Sequence, residues 1–330
     1  MLPTARASSS RVRINIPTVN VSEAWAPTPL RKQQLLLGPR LLRLYLPILL
    51  VVSLVLNIYY FTRPAPLSLP NALTSTKASA VKGQHTYETV DFGQITDLII
   101  VPGHGIYTNE GPPLDESNWH LLQMQRGEVG AFMAHIGKAV EMVKEQDSAL
   151  LMFSGGKTRL TAGMYSEAQG YWSAADRMGW LAKDVYRRVF TEEYARDSYE
   201  NVLFSVARFR EITGHYPDRI TVVGFEFKKE RFLDLHRKAL RYPKIRFNYV
   251  GINPPGDSAK LLQAEHENAY ELFEKDLYGC KGRLAEKKRE RNPFMTAHGY
   301  AKSCPEIAAF FDYCPSNPVA VYEGSLPWLS

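Results

Sequence analysis

The chain has 330 residues, 40 Lys and Arg against 34 Asp and Glu, a net charge of +6, and 45% hydrophobic residues. That length holds one large domain or two small ones, with ample material for a buried core. Three cysteines exclude a disulfide-dense secreted scaffold.

The positive charge lies at the start. Up to Arg63 the basic residues are Arg6, Arg11, Arg13, Arg31, Lys32, Arg40, Arg43 and Arg63, against the acid Glu23, which gives +7 and leaves −1 for the remainder. A globular part with no net positive charge argues against nucleic acid as a partner. The composition of residues 1–40 predicts a disordered basic leader. Residues 44–61 read LYLPILLVVSLVLNIYYF, without a charge. As a helix this run is about 27 Å long, close to the hydrocarbon thickness of a bilayer. Tyr45, Tyr59 and Tyr60 stand at its ends, where amphipathic rings favour the interface, and Arg43 and Arg63 flank it. Pro47 falls in the first turn, where its missing N–H costs little. A buried core helix is the competing reading, but the run stands between a basic leader and a Pro/Ser/Ala-rich stretch. The expectation is therefore an uncleaved single-pass anchor over 41–63, with the lipid bilayer as partner through 44–61. The excess of basic residues before it places the N-terminus in the cytoplasm. A cytoplasm-facing large domain is the alternative, since its part of the chain has no Asn-x-Ser/Thr acceptor. The Arg- and Ser-rich leader also fits a mitochondrial presequence.

After a linker over 64–92, the chain alternates short apolar runs with amphipathic stretches. Residues 97–101 (DLIIV) read as a buried strand. Val129, Phe132, Met133, Ile136, Val140 and Val143 recur at three and four and predict a helix with one apolar stripe. Residues 149–153 form the next strand, and Ala168, Tyr171, Trp172, Ala175 and Met178 mark a second helix. A weak strand over 185–190 precedes a third helix, with Val202, Leu203, Val206 and Phe209 on one face. Strands over 219–223 and 246–252 bracket a Lys/Arg-rich helix over 228–240. This alternation predicts an α/β domain over 93–278, a parallel sheet with helices on both faces. Residues 279–330 read as an irregular C-terminal extension packing on that domain.

In an open parallel sheet, ligands bind beyond the carboxyl ends of the strands. Gly103, His104 and Gly105 follow the first strand there. Ser154, Gly155, Gly156 and Lys157 follow the second, as a candidate anion-binding nest. Neither loop is a dinucleotide or P-loop fingerprint. Asp197 and Glu200 have capping-box spacing at the third helix start, beside Arg196, Ser198 and Asn201. After the fourth strong strand, Lys228 and Lys229 oppose the helix dipole, which an anion nearby would make favourable.

These segments in this order, PGHG, SGGKT, Ser166-Glu167-Ala168, RDSYEN and VVGFEFKKERF, resemble the YdcF-like family (domain of unknown function 218), which includes bacterial envelope proteins of the SanA and ElyC type. The resemblance covers roughly 95–252, and the tail around Arg291, His298, Tyr300 and Cys304 to Glu306 is similar to a eukaryotic, largely fungal branch. It implies a three-layer Rossmann-like domain whose pocket is lined by Gly103, Ser154, Gly155, Gly156, Glu167, Ser198, Glu200, Asn201 and Arg231. It implies no single reaction. Bacterial members place a His shortly before the Arg after the fourth strand, where this chain has Glu226 to Lys229.

Two functions follow. One is an enzyme acting on a small anionic ligand, phosphate-bearing or nucleotide-like, held by loop amides with Lys157, Lys228 and Arg231, with His104, Glu167 or Glu200 as acid or base. The other is a non-catalytic binding domain using the same cleft, or an anchored interaction protein. No motif assigns a cofactor. Cys304 and Cys314 lack paired-ligand spacing, so no zinc site is expected, and a bridge between them would leave Cys280 free. His215, His236 and His266 read as surface or packing residues, and the run over 286–291 as solvated charge.

Overall fold

The computed structural model describes residue 47, residues 50–57 and residues 90–329 apart from 255 and 257. The chain divides into two units, Met1–His85 and Thr86–Ser330. In the first, residues 50–57 are helical with exposed side chains. No helix among the described residues is long and apolar enough to cross a membrane. The rest of the 44–61 run, the leader and nearly all of the linker lie outside the described residues.

The second unit is a Rossmann-like α/β sheet. Strands β1 (Asp97–Pro102), β4 (Ala149–Ser154), β5 (Val189–Glu192), β6 (Arg219–Gly224) and β7 (Phe247–Gly251) pair in parallel in the order β5-β4-β1-β6-β7. The short pair β2 (Ile106–Tyr107) and β3 (Trp119–His120) forms an antiparallel ribbon. Every residue of β1 and β4 is buried, as both faces of a parallel sheet require. Alternate side chains enter two separate cores. Leu98, Ile100, Leu150, Met152, Ile220 and Val222 belong to one, with Val202, Leu203, Val206 and Phe209 of helix α4 (Ser198–Thr213). Ile99, Val101, Leu151, Phe153 and Val223 belong to the other, with the predicted stripe of α1 (Val129–Glu145) and Ala168 and Tyr171 of α2 (Glu167–Arg177). At its C-terminus α4 stops at Gly214, whose φ of +86° favours glycine.

Three expectations change. The weak strand starts at Val189, not 185, because Val185 lies in the short helix α3 (Lys183–Tyr186) and Arg188 turns back to donate its amide to the Val185 carbonyl at 2.8 Å. The stretch 228–240 is no uniform α-helix. A 3-10 turn (Glu226–Lys228) leads into a π-helix (Arg231–His236) and a last α-turn (Arg237–Ala239). The tail is not merely irregular. After α5 (Ser258–Glu265) it forms α6 (Gly282–Glu290), and Leu284, Tyr300, Cys304, Ile307, Phe310, Leu326 and Trp328 join the α4-side core.

The cysteine pairing also differs. Cys280 and Cys314 form the disulfide, with Cα atoms 5.9 Å apart, and Cys304 is free. Cys304 is fully buried, and its thiol donates to the Ala207 carbonyl of α4 at 3.5 Å. The bridge closes a loop across a sequence separation of 34, worth about 4 kcal/mol through restriction of the unfolded chain. Replacing both Cys280 and Cys314 by Ser is expected to lower unfolding free energy by about that amount in urea titrations. An unchanged midpoint would show that the extension is held without the bridge.

Candidate functional site

The strand order reverses direction between β1 and β6, so the loops leaving these two strands open a crevice at the carboxyl rim. His104 stands in it. Its backbone is fixed: the amide donates to the Tyr171 hydroxyl at 3.2 Å, and the carbonyl accepts from Arg159 Nη2 at 2.7 Å and Gln125 Nε2 at 2.8 Å. Its ring stacks on Phe225 of the β6 loop, centroids 5.0 Å apart, with Phe132 at 5.5 Å. Nε2 has no partner among the described residues. Burial, then the charges of Lys228, His135 and Arg231, hold its pKa well below the ordinary histidine value. His104 is therefore a neutral imidazole at pH 7. Neighbouring His135 is neutral too, pushed down to about 4 by burial, with Nε2 2.8 Å from the Ile252 carbonyl.

Around this imidazole the chain gathers cations. The Lys228 amine lies over the Phe225 ring, 4.8 Å from its centroid, and forms no salt bridge among the described residues. Burial and then Arg231 push its pKa down to about 8. Buried Arg231 pairs with buried Glu265 of α5 at 3.0 Å, while its Nε has no partner. Arg291, just past α6, donates to the Arg196 carbonyl at 3.0 Å. Burial disfavours the charges of Arg159, Lys228 and Arg231, and Arg291 adds to that in each case. Glu128, Glu167, Glu265 and Asp197 are acids that offset this group.

The glycine loop does not form the expected nest. Gly155 and Gly156 donate their amides to the carbonyls of Glu192 (3.0 Å) and Ala195 (2.7 Å), and Gly103 donates to the Ser154 carbonyl (2.7 Å), so none is left for an anion. The glycines are there for space. A Cβ on Gly103 or Gly155 would sit 2.5 or 2.8 Å from the Glu167 Cβ, and one on Gly105 would meet Leu121 at 2.7 Å. Glu167 accepts from Thr158 Oγ1 at 2.6 Å, and Lys157 is spent on Glu193 at 3.1 Å.

Beneath the rim lies a network that sequence reasoning missed. Ser154 Oγ is fully buried, 2.7 Å from Glu192 Oε2 and 2.9 Å from Asn201 Oδ1. Its one proton is shared between the Asn201 amide oxygen and the carboxyl group of Glu192. The Glu192 pKa is pushed up to about 7 by burial, against hydrogen bonds from Ser154, the amides of Tyr194 and Ala195, and the Tyr300 hydroxyl. Ser154 and Asn201 are brought together, but facing each other rather than open space.

At the α4 start, Asp197 accepts from the Glu200 amide at 2.8 Å. Glu200 does not reach back to the Asp197 amide as a capping box would. It accepts from the Arg196 amide, Nε (2.9 Å) and Nη2 (2.6 Å), and Lys288 of α6 lies within 3.3 Å of both Glu200 and Asp197. Burial raises the Glu200 pKa, but Lys288 and Arg196 overcome it, so the group stays ionised. Arg196 and Glu200 line a cavity of about 250 Å³ under the disulfide, beside Lys288 and Phe310, rather than the crevice. An apolar hollow of about 530 Å³ at the β5 edge, lined by Phe92, Trp172 and Phe190, holds none of the crevice cations. Ser198 Oγ lies 2.8 Å from Nε2 of fully buried His236. His215 is half-buried, and exposed His266 pairs with Glu271. No group of three metal-ligating side chains occurs among the described residues.

The chain is 32% identical over 263 residues to the Uncharacterized protein YOR238W of Saccharomyces cerevisiae, a match covering 63% of this chain and 87% of the yeast protein. The chain belongs to that protein's family. No family model matches the sequence, and no solved structure matches it.

Glu192 generates a pH prediction. A carboxyl raised from 4.5 to about 7 in the fold favours folding while protonated, so its contribution is complete below pH 4.5 and lost by about pH 7. Glu192→Gln should remove a decline of about 3 kcal/mol that the wild type shows over this window in urea denaturation. Parallel pH profiles for the two proteins would contradict the assignment.

Proposed function

We propose that this is a membrane-anchored YdcF-like protein that binds a small anion, phosphate-bearing or nucleotide-like, in the crevice between the β1 and β6 loops. The observation that carries the reading is Lys228. Lys228 is half-buried, its amine rests on aromatic rings with Arg231 and Arg291 for neighbours, and it forms no salt bridge among the described residues. A buried charge without a partner is costly, and an anion there removes the cost. His104 adds an unpartnered ring nitrogen and Arg231 an unpartnered Nε at the same place. The Gly155–Gly156 loop plays a spacing role in this reading, with Glu167 filling the space it leaves. The same contacts serve an enzyme and a non-catalytic binding module alike.

The anchor rests on the uncharged 44–61 run with its flanking Arg43 and Arg63. A disulfide at Cys280–Cys314 fits a domain on the oxidising side of the membrane, opposite the basic leader.

Sulfate tests the binding reading, because it exchanges no proton near pH 8. Calorimetry in two buffers of different ionisation enthalpy should show uptake of about half a proton at pH 8, as the anion restores Lys228 to full charge. Lys228→Met should bind at least about tenfold more weakly, the loss of one charge-assisted hydrogen bond, and show no uptake. Binding without proton uptake, or unchanged affinity in the variant, would refute it.

A further inference from the structure

The geometry points to a serine nucleophile at the start of α4: Ser198, with His236 as its base, opening a carboxylic ester whose anionic group is held by the crevice cations. The substrate class rests on the anion-binding reading above. The nucleophile–base pair does not.

The contact itself is a hydroxyl 2.8 Å from an imidazole Nε2. A serine satisfying a buried histidine is the ordinary account of such a contact, and three observations go beyond it. The first is the ring's setting. His236 is fully buried, and Phe273 (centroids 4.6 Å, 85°) and Phe232 (5.0 Å, 88°) stand perpendicular to it. Its Nδ1 has no hydrogen-bond partner among the described residues. The tautomer with the proton on Nδ1 places a donor among these rings and leaves the Nε2 lone pair for Ser198. Nε2 is then the acceptor and Ser198 Oγ–H the donor, the arrangement a nucleophile needs.

The second is access and charge stabilisation. Ser198 is half-buried and contacts a fully buried base. It is the first residue of a sixteen-residue helix. Asp197 takes the amides of Glu200 with its side chain and of Asn201 with its carbonyl. The amides of Ser198 and Tyr199 donate to nothing among the described residues, leaving two N–H groups at a helix start for a developing oxyanion.

The third is the neighbourhood. Arg231 begins the π-helix that ends at His236, a stretch in which the Arg237 amide donates to the Phe232 carbonyl, so one widened turn presents both side chains near the same place. Arg231 is 7% exposed and its Nε is unpartnered. Arg291 is tied to the carbonyl of Arg196, two residues before Ser198. Arg291 thus reaches the turn that carries Ser198, and the charge of Arg231 acts on His236.

In the reaction Ser198 Oγ forms a bond to the ester carbonyl carbon while its proton passes to His236 Nε2. The tetrahedral oxyanion collapses, the ester C–O bond breaks, and Nε2 returns the proton to the leaving alcohol. Water then attacks the acyl-serine in the same way, releasing the acid and restoring the serine.

The test is labelling of the full-length chain with a fluorophosphonate, which forms an Oγ–P bond as the P–F bond breaks and releases HF. Peptide mass mapping should place one adduct on Ser198. Ser198→Ala should abolish it, and folded His236→Asn should label at least a hundredfold more slowly. If His236→Asn does not fold, the wild-type rate compared with N-acetylserinamide decides: acceleration of a thousandfold or more supports the pair, and under tenfold overturns it. No adduct on Ser198 in folded wild type, or equal labelling of folded His236→Asn, also overturns it. Labelling needs no crevice anion, so its failure is separate from failure of the sulfate titration.

Discussion

The parallel pairing of β1 with β6 is the constraint on which the rim depends. It sets Asp97 beside Arg219 and Ile100 beside Val222, so the two chains leave the sheet at neighbouring points. Asp97 and Arg219 also form an ion pair at 2.6 Å at the opposite end, which suits this register. His104 and Phe225, far apart in the chain, stack as a result, and the Lys228 amine follows onto the same ring. Lys228 is placed by aromatic packing and main-chain register, not by an opposite charge. Its position is thus set by the sheet, and its electrostatic need is left open.

The surrounding architecture sustains that arrangement. Two apolar cores, one on each sheet face, hold the strand ends in place. The C-terminal extension does more than cover a surface. It adds Tyr300 to the Glu192 network, Lys288 to the α4 start and Arg291 to the crevice. The Cys280–Cys314 bridge ties down the segment that carries α6, and with it Lys288 and Arg291. Integrity of the extension and the charge of the crevice are therefore linked.

The sheet was legible because its central strands carry short apolar runs closed by Gly or Pro, and α1 because its stripe at three and four is unbroken. Gly103, Gly155 and Asn201 were legible as rim residues by position, but not in role: that Gly155 makes room for Glu167, rather than offering an amide, depends on a partner from another helix. Glu192 left no trace, since a carboxylate at a strand end reads as solvated until Tyr300 arrives from far along the chain. His236 gave no signal either, because the π-turn that aligns it with Arg231 breaks helical periodicity. The cysteine pairing and Arg291 were hidden in a tail whose packing is aromatic and non-local, without a repeat to read.

The unpaired positive charge at the β1–β6 crevice is the proposed ligand site. Its most direct measurement is a crystal structure soaked in selenate, with the anion located by the anomalous scattering of selenium. One bound anion is expected within hydrogen-bond distance of Lys228 Nζ and an Arg231 or Arg291 guanidinium. Selenate at the Gly155–Gly156 loop instead, or an empty crevice at saturating anion, would contradict it.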